Sequence, residues 1–224
     1  MRTTLLPFSL LAIVACGGAS QAKFADTTAT DVAWVEVPTV PFYEVVGHHA
    51  ENAYDQVKTA NWSAAQAAVD SLTSVVKTSK APDTANHGTD LRVSLARLNT
   101  AVARRSRAQG LRDANQLTAL GAALAASHNP QVPTSVTMLD YFGRELEIGA
   151  EANDAAQLSR AAAGIKTTWS GLRPQVVARG GTVEAARFDT VVANVAAART
   201  PAQYARTATP VLDQVDVLES IFTQ

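Results

Sequence analysis

The 224-residue chain contains a single cysteine, so it cannot close an internal disulfide or assemble a zinc-thiolate cluster. Charge is sparse and balanced, 19 Lys+Arg against 20 Asp+Glu, which excludes the concentrated basic face that general nucleic-acid binding needs. No apolar run reaches the roughly 20 residues required to span a bilayer as a helix. Clustered Val-Ile-Thr alternation, the usual mark of strands, is also scarce. No haem-attachment Cys-x-x-Cys-His, Gly-x-Ser-x-Gly elbow, phosphate loop or His-Glu-x-x-His zinc helix occurs. No residue trio can be nominated as catalytic. The expectation is therefore a binding or structural module rather than an enzyme, with no cofactor.

The start of the chain carries an address. Residues 1–15 hold one charge, Arg2, then an apolar stretch from Leu5 to Ala15, with a small residue before Cys16. That is the layout of a secretory signal peptide. Ile13-Val14-Ala15-Cys16 resembles the lipobox of bacterial lipoproteins. The resemblance implies a diacylglycerol on the Cys16 sulfur, cleavage before Cys16 and acylation of the new amino terminus. Each buried acyl methylene contributes ~0.8 kcal/mol, so two or three chains anchor stably. Gly17, where inner-membrane retention usually involves Asp, favours the outer membrane, with the body facing the periplasm. An ordinary secreted protein cut between Ala19 and Ala22 is the alternative. Removing Arg2 leaves 18 Lys+Arg against 20 Asp+Glu. Residues 16–40 read as the lipidated cysteine and a tether, reaching about 25–30 Å if disordered. Val32–Val40 alternates in part and suits an extended strip anchored by Trp34.

From Pro41 onward the chain is Ala-rich, with apolar residues three and four apart, as in Phe42, Val46, His49, Ala53, Val57 and Ala60. Eight helices are expected, roughly 41–60, 63–79, 89–105, 107–127, 134–152, 155–173, 182–199 and 201–222. A shift of 93 residues places Val46 on Leu139, Ala53 on Leu146, Leu72 on Ile165, Leu95 on Phe188 and Val102 on Val195. One further residue of shift aligns Ser106…Gln109 with Thr200…Gln203, both of capping-box form. The fold class expected is all-α, a tandem duplication of a four-helix unit in an up-down helical bundle. Its repeats are 41–128 and 134–224, separated by Asn129-Pro130-Gln131-Val132-Pro133.

Candidate binding residues are few. Glu44, His48, Glu51 and Asp55 lie along one side of the first helix, where carboxylates and imidazoles can converge on a transition-metal ion. Gly47-His48-His49-Ala50-Glu51 resembles the histidine and glutamate signature of imelysin-like periplasmic proteins, Gly-x-His-x-x-Glu. That family is built as duplicated helical bundles and associated with iron acquisition. The match is offset: His48 and Glu51 keep the His-to-Glu spacing with Gly47 one position late, whereas His49 repairs the glycine and leaves Asn52 in place of Glu. The resemblance implies iron or copper handling, with His48, Glu51, His49 and Glu44 as candidate ligands. The competing expectation makes His49 a neutral core residue with one ring nitrogen hydrogen-bonded, and the polar stripe a solvated face. His87 and His128 are expected in a turn and at a helix end, and Trp62 and Trp169 as core-sealing aromatics near helix ends.

In the second half, Glu147 and Glu151 form an i, i+4 acidic pair beside Arg144 and Glu145, expected on a solvated face. Residues 92–112 hold six arginines and no acid. Arg97, Arg104 and Arg105 are candidates for contact with anionic lipid or an acidic envelope partner, although pairing with Asp70 or Asp113 is the preferred expectation.

Overall fold

The computed structural model describes residues 41–79 and 87–223, so the signal peptide, Cys16 and the tether with Trp34 lie outside the described residues. Every described element is an α-helix: α1 Phe42–Lys58, α2 Trp62–Thr78, α3 His87–Ala103, α4 Arg107–Ala125, α5 Thr134–Ala152, α6 Ala155–Ala178, α7 Thr182–Ala197 and α8 Pro201–Thr223. Among the described residues the chain is thus all-helical, packed as a helical bundle.

Local chemistry sets the corners. α1 ends as Ala60 turns into the left-handed region at φ 57°, with Asn61 N bonding Gln56 O at 2.8 Å. Asn61 then caps α2 by accepting from Ala64 N at 3.4 Å. α5 ends the same way: Asn153 takes φ 55°, Asp154 N bonds Gly149 O at 2.9 Å, and Asp154 caps α6 through Gln157 N at 2.9 Å. Both are Schellman turns feeding an N-cap. Ala60 and Asn153 stand 93 positions apart, the same displacement that aligns the two halves.

Two sequence expectations are corrected. Thr200 and Gln203 form the full capping box, Gln203 N reaching Thr200 Oγ1 at 3.3 Å and Thr200 N reaching Gln203 Oε1 at 3.0 Å. Ser106 makes no such cap, because Gln109 instead donates to Asp113 Oδ1 at 2.8 Å. Proline also fails to end α6, which runs through Pro174 to Ala178, as α8 runs through Pro210. Both prolines are exposed, as are Ser170 and Arg206 four residues earlier, so the freed carbonyls meet water.

Within the first half α1 packs on α2, α2 on α3, α3 on α4, and α4 back on α1; α5 to α8 repeat this circuit. Each circuit encloses its own core, the first around Val46, Leu72, Leu98 and Leu117, the second around Leu139, Ile165, Phe188 and Val211. Ile148 of α5 crosses into the first core. Gly121 lets α4 approach α1 closely, since a Cβ there would lie 3.4 Å from the Gly47 nitrogen. Across the seam between the bundles α4 lies against α5, whereas α1 and α8 share no extensive contact. One side of the seam is closed and the other is a cleft.

Candidate functional site

The seam holds most of the buried charge. Arg144, on the face of α5 turned to the first bundle, is 7% exposed. Its guanidinium lies 4.9 Å over the Tyr54 ring, Nη1 donates to Thr118 Oγ1 at 3.3 Å, and Nη2 stands 3.1 Å from Asp140 Oδ2. That last contact is an ion pair without hydrogen-bond geometry, and Asp140 Oδ2 accepts no hydrogen bond. Burial pushes the Asp140 carboxyl up to about 7; Arg144 opposes this, while Glu51, Asp216 and Asp55 reinforce it. Glu51 is likewise raised, by burial first, against the pull of Arg144, with Glu219, Asp55 and Asp216 adding to the rise. Glu219 on α8 is raised by burial and by Asp140 and Asp216.

Beside this cluster Tyr54 donates to Glu147 Oε2 at 2.9 Å, and Lys58 Nζ donates to Glu147 Oε1 at 2.7 Å. Burial and the Glu147 carboxylate raise the phenol, so Tyr54 stays a neutral donor. Arg107 pairs with Glu151 and donates to the Lys58 carbonyl at 3.2 Å. On the closed side Asn115, fully buried, donates to Tyr141 O at 3.1 Å and Glu145 Oε1 at 2.8 Å. Gln157 holds the other Glu145 oxygen at 2.8 Å.

Two cavities open along the cleft where α1 and α8 fail to meet. One, of about 270 Å³, is lined by Glu44, His48 and Glu51 from α1 and by Glu219 and Thr223 from α8. The other, of about 440 Å³, is lined by Tyr54 and Lys58 from α1, Glu147 and Glu151 from α5, and Pro201 and Ala205 from α8.

Glu44, His48 and Glu51 therefore share one cavity wall. Yet among the described residues no group of three or more His, Cys, Asp or Glu stands close enough to hold a metal ion. The implied transition metal does not fit the donors present. His49 is half-buried on the bundle side, its ring centroid 5.5 Å from that of His48. Contrary to the core-histidine expectation, its buried Nδ1 has no hydrogen-bond partner, and burial followed by His48 lowers its pKa. His128 does close a helix end, its Nδ1 lying 3.0 Å from the Leu124 carbonyl oxygen. His87 opens α3 rather than sitting in a turn. Trp62 packs on the first core at the start of α2. Trp169, 4% exposed, lies mid-helix because α6 continues past Pro174, and its indole donates to Asp189 at 2.7 Å.

The acidic face of α5 is corrected from solvated to engaged: Glu145 and Glu147 are half-buried and bonded across helices. Pairing of the arginine run with acids on neighbouring helices holds at Arg107, which meets Glu151, but not with Asp70 or Asp113. Asp70 and Asp113 accept from Gln66 and Gln109, and the side chains of Arg97, Arg104 and Arg105 make no ion pair or hydrogen bond among the described residues. Asp140, Tyr54 and Glu219 escape sequence reasoning. The available signal is the i, i+4, i+8 stripe Asp140, Arg144, Ile148, whose apolar end marks the whole stripe as inward.

Among the described residues no helix is long and apolar enough to cross a membrane. Compared with family models, curated proteins and solved structures, the chain matches none.

Proposed function

We propose that the protein is a lipid-anchored, periplasm-facing binding module whose ligand enters the α1–α8 cleft and is a small organic cation carrying ammonium groups. Two gene-doubled four-helix units would supply the walls. The carrying observation is the carboxylate excess about one buried cation: Asp140 pairs with Arg144 at 3.1 Å, Glu51 and Glu219 line the α1–α8 cavity and are coupled to Arg144 electrostatically, and all three carboxyls are raised by burial. Charges held this way are weak contributors to stability, since desolvation offsets much of their attraction. Their retention points to a ligand that supplies the missing positive charge. An ammonium donates several hydrogen bonds to such carboxylates without the fixed ligand set that a bare metal requires.

The anchor reading rests on the lipobox resemblance at Cys16 and on a body without a membrane-spanning helix among its described residues. A thermal melt of the full chain with spermidine, iron, copper and zinc tests the ligand class. Spermidine at 100 times its dissociation constant should add about 2.7 kcal/mol, and the metals nothing comparable. Glu51→Gln with Glu219→Gln should abolish the shift. A metal shift that survives those substitutions, with none from spermidine, overturns the reading.

A further inference from the structure

A second cavity system lies on the outer side of the first bundle. Between α3 and α4 runs a groove of about 590 Å³ whose wall includes Val93, Arg97, Arg104, Gln109 and Asp113. Arg97 precedes Arg104 by seven residues, and Arg104 N still bonds Thr100 O at 3.1 Å, so helical pitch brings both guanidiniums over one edge. Neither guanidinium has an ion-pair or hydrogen-bond partner among the described residues. The one carboxylate of the groove, Asp113, is 7% exposed and held by Gln109, so it neutralises neither arginine. Val93, four residues before Arg97, is 45% exposed.

Arg105, next in the chain and exposed though outside the groove lining, is held at a cost. It occupies φ 52° at the end of α3, with Ser106 N bonding Ala101 O at 2.8 Å, the Schellman position where glycine is favoured. A cation near a helix C-terminus has a dipole reason to be there; Arg97, in mid-helix, has none.

We propose that the α3–α4 groove docks an anionic phospholipid headgroup, laying this edge of the bundle against a bilayer. Guanidinium groups match phosphate oxygens bidentately. An exposed valine flanked by cations suits an interface in which headgroup charge and acyl carbon lie within about 5–10 Å. A membrane tether would hold this edge close to such a surface, and the docking itself does not depend on what occupies the α1–α8 cleft.

The test uses the full chain with Cys16→Ser, so that no acyl group contributes. Flotation with phosphatidylcholine vesicles, with and without phosphatidylglycerol, reads the preference for anionic lipid at low salt. Arg97→Gln with Arg104→Gln should lower that preference about 25-fold, roughly fivefold per arginine. Arg187→Gln with Arg206→Gln, exposed arginines of the second bundle, should leave it within about twofold. Absence of any preference in the parent chain, or equal losses in both pairs, overturns the proposal.

Discussion

Tyr54 donates its hydroxyl to Glu147 across the seam, and the two residues are 93 positions apart. Glu51 and Arg144, coupled electrostatically, are separated by the same 93. Residues related by the 93-residue shift thus face one another, as residues near the axis of a two-fold interface do. Identical residues at those places would set carboxylate against carboxylate; Glu against Arg and Tyr against Glu are complementary instead. Removing the Tyr54 hydroxyl by Tyr54→Phe should destabilise by about 1.5–3 kcal/mol, the range for a hydrogen bond to a charged group. Urea unfolding checks it, and a loss below about 0.5 kcal/mol would mean that Lys58 alone satisfies Glu147.

Stability should fall between about pH 4 and pH 7. Asp140 is raised from its unfolded value to about 7, so in that window the native state binds more protons than the unfolded chain. The stabilisation is full below the unfolded pKa and is lost as pH rises through the folded one. Its size is at most about 4 kcal/mol, three units at 1.36 kcal/mol each. Glu51 and Glu219 act in the same direction. Asp140→Asn should flatten the profile of melting temperature against pH; a profile that keeps its slope would place the titration elsewhere.

Arg144→Met should cost about 3–5 kcal/mol at pH 8, where Asp140 is left as a buried charge without its partner. At pH 5 the cost should shrink, because the carboxyl takes up a proton. Equal losses at the two pH values, read by denaturant titration, would contradict the coupling.

Arg105→Gly should stabilise by about 1 kcal/mol by relieving the left-handed backbone, while weakening association with anionic vesicles. A melt and a flotation assay on the same preparation test both signs.

The helices are legible because packing follows periodicity: Val46, Leu139, Leu98 and Val191, matched by the 93-residue shift, are all buried. Helix ends are legible where a cap is local, as at Thr200, and not at Ser106, where Gln109 finds a better acceptor one turn on. Pro174 misleads because the penalty for proline depends on whether the freed carbonyl is wetted, which one segment cannot disclose. The cleft is illegible for a similar reason. Whether Arg144 and Glu147 face water depends on α1 and α4 of the other bundle, tens of residues away in the chain.

Lipidation at Cys16 should add a diacylglyceryl group to the mature protein, with the amino terminus beginning at that cysteine. Mass spectrometry of protein from the cell envelope checks this. A bare amino terminus downstream of Cys16 would contradict it, and Cys16→Ser should abolish the added diacylglyceryl mass.

The most direct measurement of the cleft is calorimetric titration of the full chain with spermidine at pH 6.5, repeated in buffers of different ionisation enthalpy. An ammonium bound near Asp140, whose carboxyl burial pushes up to about 7, must expel protons from it, so the observed heat should vary with buffer, and Glu51→Gln with Glu219→Gln should abolish the binding heat. Binding without proton release, or no binding at millimolar spermidine, would contradict a cation site between α1 and α8.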